Sequence, residues 1–203
     1  MKNMQNSFRF RKQLEAQVKL LAEKSGEDPH RFRLKLAFDR ILARLPPSFL
    51  LKGGYSMELR VRNARATRDM DLTYLGRFNG MKEPIGDLIR RELQILTQAD
   101  LDDYFKFQIG LPGADIENAP YGGARYPVTT IIAQRPFVNF HLDVACDCLV
   151  GTIETIRGED WLGYFEISPP TISMISAEQQ FAEKLHSYTL PRDRTNTRSK
   201  GFN

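Results

Sequence analysis

The run Ser48-Phe49-Leu50-Leu51-Lys52 stops at Gly53-Gly54, a segment long enough for one brief helix follows, and a second apolar stretch opens on Asp69-Met70-Asp71-Leu72. This order constrains the fold more than any other feature of the chain. Glycine pairs admit turns and close backbone approaches that other residues resist. If 69–75 is a strand, Asp69 and Asp71 project from one face and Met70 and Leu72 from the other. The unit reads as a short buried strand, a glycine turn, a helix over 56–62, and a strand that begins with two carboxylates.

The remaining segments supply partners for that unit. Leu14, Val18, Leu21 and Ala22 recur at three- and four-residue spacing, which predicts an amphipathic helix over 7–24 ended by Ser25-Gly26. A second helix starts at Asp28-Pro29 and stops before Pro46-Pro47, with Leu34, Phe38, Ile41 and Leu45 on one face. Residues 84–98 favour a further helix. The stretches 104–110 and 126–134 flank a loop, 111–123, whose glycines and prolines exclude regular structure. In 137–145, Val138, Phe140, Leu142 and Val144 alternate with Asn139, His141 and Asp143, which puts Asp143 on the polar face of its strand. Ser176 with Gln179 forms a capping-box start for a last helix in which Phe181 and Leu185 stand one turn apart.

At 203 residues the chain suffices for one core and a small appended unit, so the expected division is a main domain over 1–175 and the start of a helical region over 176–203. Its hydrophobic share of 41% and charged share of 27% are those of a soluble protein. With no apolar run of roughly 18 residues there is no expected membrane span, and the polar N-terminus lacks the apolar core of a signal peptide. The cytoplasm is the expected location. Cys146 and Cys148 read as reduced, inert thiols. The net charge of +4 permits a polyanionic partner without requiring one.

Taken together, Gly53-Gly54, the helix after it and Asp69-x-Asp71 suit a nucleoside triphosphate. Glycines let backbone amides approach phosphate, the helix N-terminus adds partial positive charge, and paired carboxylates can share a divalent cation. A third carboxylate is then expected on a nearby strand. Asp143 is the candidate, as metal ligand or as acceptor of a proton from an attacking hydroxyl. His141 reads as structural or exposed rather than as a base. The arginines of Arg60–Arg68 offset the carboxylates and suit polyphosphate or an RNA backbone.

The blocks 49–72, 140–144 and 182–200 resemble the AbiEii/AbiGii nucleotidyltransferase toxins of abortive-infection and type IV toxin–antitoxin systems, most specifically at Lys52-Gly53-Gly54 and Arg65-x-Thr67-Arg68-Asp69-x-Asp71. The resemblance implies an α+β, polymerase-beta-like nucleotidyltransferase fold, a mixed sheet flanked by helices with an incomplete C-terminal helical region. It implies transfer of a nucleoside monophosphate from an NTP to an acceptor, with the tRNA 3′ end as the expected acceptor, magnesium or manganese as cofactor, and a cognate antitoxin as partner. By the same resemblance, Asp69, Asp71 and Asp143 bind the metal, and Gly53, Gly54 and Ser56 lie near the phosphates. Lys184 reaches the triphosphate, and Lys52 and Arg68 buttress the site or meet phosphates at its rim. Ser56 also has a plain role as a helix cap. The family pattern continues with Asp after the block ending in Lys200, whereas Gly201 follows here. If that acid completes the active site, the alternative is an inactive form that binds nucleotide, RNA or antitoxin without turnover. A glycosyltransferase using Asp-x-Asp is disfavoured, since two helices precede the first strand.

Overall fold

Phe10, Leu14, Val18 and Ala22 form the buried stripe of α1 (Met4–Ser25), which packs on α2 (Pro29–Leu42). The computed structural model describes residues 4–61, 66–76, 82–113, 122–146 and 150–189, with only the backbone of Ser187 and Tyr188. Asp28 caps α2 by accepting a hydrogen bond from the His30 amide at 2.8 Å, and Pro29 occupies a first-turn position where a missing N–H costs nothing. Leu34, Phe38 and Ile41 are buried as their spacing requires, while Leu45 lies past the helix end and is half-buried.

Seven strands form one mixed sheet: β1 (Phe49–Lys52), β2 (Asp69–Tyr74), β3 (Lys106–Ile109), β4 (Gly123–Ile132), β5 (Arg135–Cys146), β6 (Ile153–Arg157) and β7 (Thr171–Ile175), in the order β3-β4-β5-β2-β1-β7-β6. The β2–β5 and β1–β7 pairs are parallel and the others antiparallel. Helices α3 (Gly53–Arg60), α4 (Ile85–Thr97) and α5 (Ala177–Thr189) complete the α+β architecture. The alternation in β5 holds: Val138, Phe140, Leu142 and Val144 are buried, Asn139 and His141 exposed.

Two strand boundaries differ from expectation, and β6 and β7 have no expected counterpart. β4 and β5 are longer than their apolar cores because they form a hairpin around Ala133 and Gln134, both left-handed (φ 52° and 60°), as a tight hairpin turn requires. Arg11 of α1 secures this turn by donating to the carbonyls of Ile132, Arg135 and Pro136, each at 2.8 Å. Helix α3 begins at Gly53 rather than Ser56, so the glycines belong to its first turn. Ser176 Oγ does cap α5, accepting from the Gln179 amide at 3.2 Å, but Gln179 Oε1 accepts from Gly151 instead of closing the capping box. Phe181 and Leu185 are exposed, and among the described side chains of α5 the buried one is Gln180. Cys146 is buried at the end of β5. Cys148, most of loop 111–123 and residues 190–203 lie outside the described residues, and no described helix is long and apolar enough to cross a membrane.

Asp39 on α2 is buried. Its Oδ1 accepts from the Tyr55 hydroxyl at 2.6 Å, and its Oδ2 has no hydrogen-bond partner. Burial pushes this carboxyl up to about 7, against the Tyr55 hydrogen bond and the Arg40 charge, which lower it. A carboxyl raised in the folded state binds its proton more tightly there than in the unfolded chain. Stability is therefore greatest below about pH 4 and falls as pH rises through about 7, by at most ~4 kcal/mol for this group. Asp39→Asn should lose much of that slope and be more stable than wild type at pH 8. Urea melts of both proteins at pH 5 and pH 8 measure the difference.

Candidate active site

Strand register places four charged residues side by side. Lys52 on β1 is opposite Asp71 on β2, Asp71 is opposite Asp143 on β5, and Asp143 is opposite Arg125 on β4. Register partners share a sheet face, so Lys52, Asp71, Asp143 and Arg125 form one row. The neighbouring row on that face carries Asp69, His141 and Pro127. Met70, Leu72, Leu142 and Val144, which alternate with these residues, are buried on the other face.

The row is held by opposite charges at its ends. Arg125 grips Asp143 with two hydrogen bonds, Nε to Oδ1 and Nη2 to Oδ2, both 2.7 Å. The same Nη2 lies 3.8 Å from Asp69 Oδ2, and His141 Nδ1 is 3.4 Å from Asp69 Oδ1. At the other end, Lys52 Nζ lies 3.5 Å from Glu183 Oε2 on α5. Burial, then the charge of Asp143, pushes the Asp71 carboxyl up to about 6, opposed by Lys52 and by a hydrogen bond from the Gly54 backbone, with Asp69 adding to the rise. Among the described residues, no group of three or more His, Cys, Asp or Glu side chains converges closely enough to hold a metal. The Arg125 guanidinium bridges Asp143 and Asp69 where a cation shared by the three aspartates would draw them together.

Gly53 is there because the aspartate is close. A Cβ on Gly53 would fall 2.0 Å from Asp71 Oδ2, and its φ of +68° is itself a glycine conformation. A Cβ on Gly54 would meet the Thr67 side chain at 2.9 Å. These contacts set the start of α3 directly against the carboxylate row. Helix α5 locks the arrangement: Gln180 Nε2 donates to the Gly53 carbonyl at 2.6 Å, while its Oε1 lies 2.8 Å from Ser56 Oγ and accepts from Arg60 Nη1 at 3.0 Å.

The structure thus brings Asp69, Asp71, Asp143, Lys52, Gly53 and Gly54 together. Ser56 is fully buried beneath α5, its hydroxyl engaged with Gln180 and Arg60 rather than open to a ligand. Lys184 is exposed on α5, one residue after the Glu183 that meets Lys52, and Arg68 is exposed immediately before β2. Arg62 and Arg65 lie outside the described residues, as do Arg192, Arg194, Arg198 and Lys200. Sequence reasoning missed Arg125, Gln180 and Glu183. Counting back from the Ala133-Gln134 turn pairs residue 125 with residue 142, and only the register shift between Thr130 and Ile131 moves its partner to Asp143, so the hairpin alone carried no signal for Arg125.

The mixed sheet carries Asp-x-Asp beside a glycine-led helix, with a third aspartate in register on the adjacent parallel strand, the arrangement expected of a nucleotidyltransferase domain. Residues 36–202 match the family of the nucleotidyl transferase AbiEii toxin of type IV toxin–antitoxin systems, and the chain belongs to that family. Among solved structures it is similar to the nucleotidyltransferase toxin MenT4 from Mycobacterium tuberculosis H37Rv, with a TM-score of 0.59 at 17% identity over 84% of this chain. The match spans 58% of the MenT4 chain. No curated protein matches the sequence.

Proposed function

We propose that this chain transfers a nucleoside monophosphate from a triphosphate to a hydroxyl of an RNA acceptor, the tRNA 3′ end, and so arrests growth until a cognate antitoxin opposes it. The reading places that activity in the cytoplasm, where charged and uncharged tRNA circulate. The observation that carries it is the register of Asp71 with Asp143 beside the glycine-led start of α3.

Each residue then has a physical task. Asp69, Asp71 and Asp143 are the residues that would hold the metal. Their donor set is all oxygen, and Asp69, Asp71 and Asp143 share one face of adjacent strands, which suits a hard divalent cation. Magnesium, or manganese in its place, would there supply positive charge to the triphosphate. The acceptor oxygen attacks the α-phosphorus, the bond to the bridging oxygen breaks, and pyrophosphate departs with its electron pair. Asp143 takes the hydroxyl proton. Lys52, Arg68 and Lys184 meet phosphate oxygens, Gly53 and Gly54 allow the close approach, and Ser56 fixes α3 against Gln180.

The test incubates the chain with magnesium, total tRNA and each of the four α-labelled triphosphates in turn. Label on tRNA from at least one triphosphate, lost on omitting the metal, is the expected result. Binding of nucleotide without product on any RNA would support the alternative, an inactive nucleotide- or antitoxin-binding form, which the grip of Arg125 on Asp143 favours. Neither binding nor product would overturn both.

A further inference from the structure

We propose that Arg125 is the internal counter-ion of the carboxylate row, a positioning residue that holds Asp143 and Asp69 until a metal–triphosphate arrives and then moves to the phosphates. The inference rests on the nucleotidyl-transfer reading of the row.

Three observations carry it. Both oxygens of Asp143 are occupied by Arg125, at 2.7 Å each, so the carboxylate expected to bind metal and accept a proton is committed to a guanidinium. The second contact, 3.8 Å to Asp69, reaches one of the two remaining aspartates. The Arg125 side chain is 46% exposed, so it has room to leave, whereas Asp143 is 17% exposed and fixed by its strand. A planar fork with two parallel bonds is the strongest geometry available to an arginine and a carboxylate. A divalent cation alone must therefore compete with it.

The competition changes when the cation comes with a triphosphate. Free metal offers the displaced guanidinium no new partner, and the cost of breaking the pair falls on metal binding. A triphosphate offers phosphate oxygens, which a guanidinium pairs with as readily as with carboxylate. Metal and nucleotide then bind cooperatively, each strengthening the other through the position of Arg125. Arg125 thereby favours entry of the metal already bound to substrate.

Mn2+ titration of the full chain, by calorimetry or by the loss of free-ion EPR signal, tests this without any turnover. In the absence of nucleotide, Arg125→Gln should bind Mn2+ at least about fivefold more tightly than wild type. Arg125→Lys, which keeps the charge but cannot fork, should fall between them. With a triphosphate analogue blocked at the α–β bridge, the advantage of Arg125→Gln should vanish or reverse. Unchanged Mn2+ affinity in Arg125→Gln, with binding present in wild type, would overturn the role of Arg125 alone. No Mn2+ binding by any form, with or without the analogue, would overturn the carboxylate reading and this inference with it.

Discussion

Asp71→Asn should lower nucleotidyl transfer by roughly three orders of magnitude, the scale of losing a main electrostatic element of a site, and at the same time make the metal-free protein more stable. The two effects have one cause. Asp71 sits between burial and Asp143, and its carboxyl is raised to about 6. Above that pH it is ionised at a cost, because a carboxyl raised in the folded state contributes stability that is lost as pH rises from about 4 through about 6. Asn has the same shape, carries no charge and can still accept from the Gly54 amide. The gain above pH 7 is at most ~3 kcal/mol. Labelled-triphosphate assays and thermal melts of the metal-free variant at pH 8 check both halves. Retained transfer would remove Asp71 from the chemistry, and a lower melting temperature would mean that the crowding is relieved in another way. A residue that costs stability in place and is indispensable for activity is the pattern expected of a site rather than of a scaffold.

What the sequence disclosed was whatever depends on neighbours along the chain. The stripe of α1, the Asp28-Pro29 start of α2, and the alternation of Val138 through Val144 are local periodicities, and each appears in the structure with its expected face buried. The glycine–helix–aspartate unit was legible for the same reason. The row was not, since Lys52, Asp71, Asp143 and Arg125 meet through three strand pairings that join distant segments. Arg125 was hidden by an Ala-Gln turn that lacks the glycine or asparagine by which hairpin turns are usually recognised. Strand β7 was hidden because its place beside β1 is a non-local parallel pairing. Helix α5 misleads in a different way: Phe181 and Leu185 suggest an apolar face, yet it is Gln180 that reaches under the helix to Gly53 and Ser56.

Asp103→Ala should cost more stability than any other single change considered, about 3–5 kcal/mol, because it strands two buried arginines. Asp103 lies between α4 and β3 and is wholly buried. Its Oδ2 accepts from Arg40 Nε at 2.7 Å and Arg44 Nη1 at 2.8 Å, its Oδ1 from Arg44 Nη2 at 2.7 Å and the Phe105 amide at 3.0 Å. Burial alone would raise this carboxyl, but Arg44 and Arg40 outweigh it and hold it below the ordinary carboxylate range. A lowered folded-state value contributes stability that is present above about pH 4 and lost as pH falls below it. Wild type and Asp103→Ala should thus differ most at neutral pH and converge in acid. Urea melts at pH 7 and pH 3 measure this, and a gap that persists undiminished at pH 3 would show that packing, not charge, sets the cost. At low temperature, folded Asp103→Ala should bind Mn2+ as wild type does, because the triad anchors the end of α2 and not the row of Lys52, Asp71, Asp143 and Arg125. The helix layer and the charged face of the sheet can then be weakened separately.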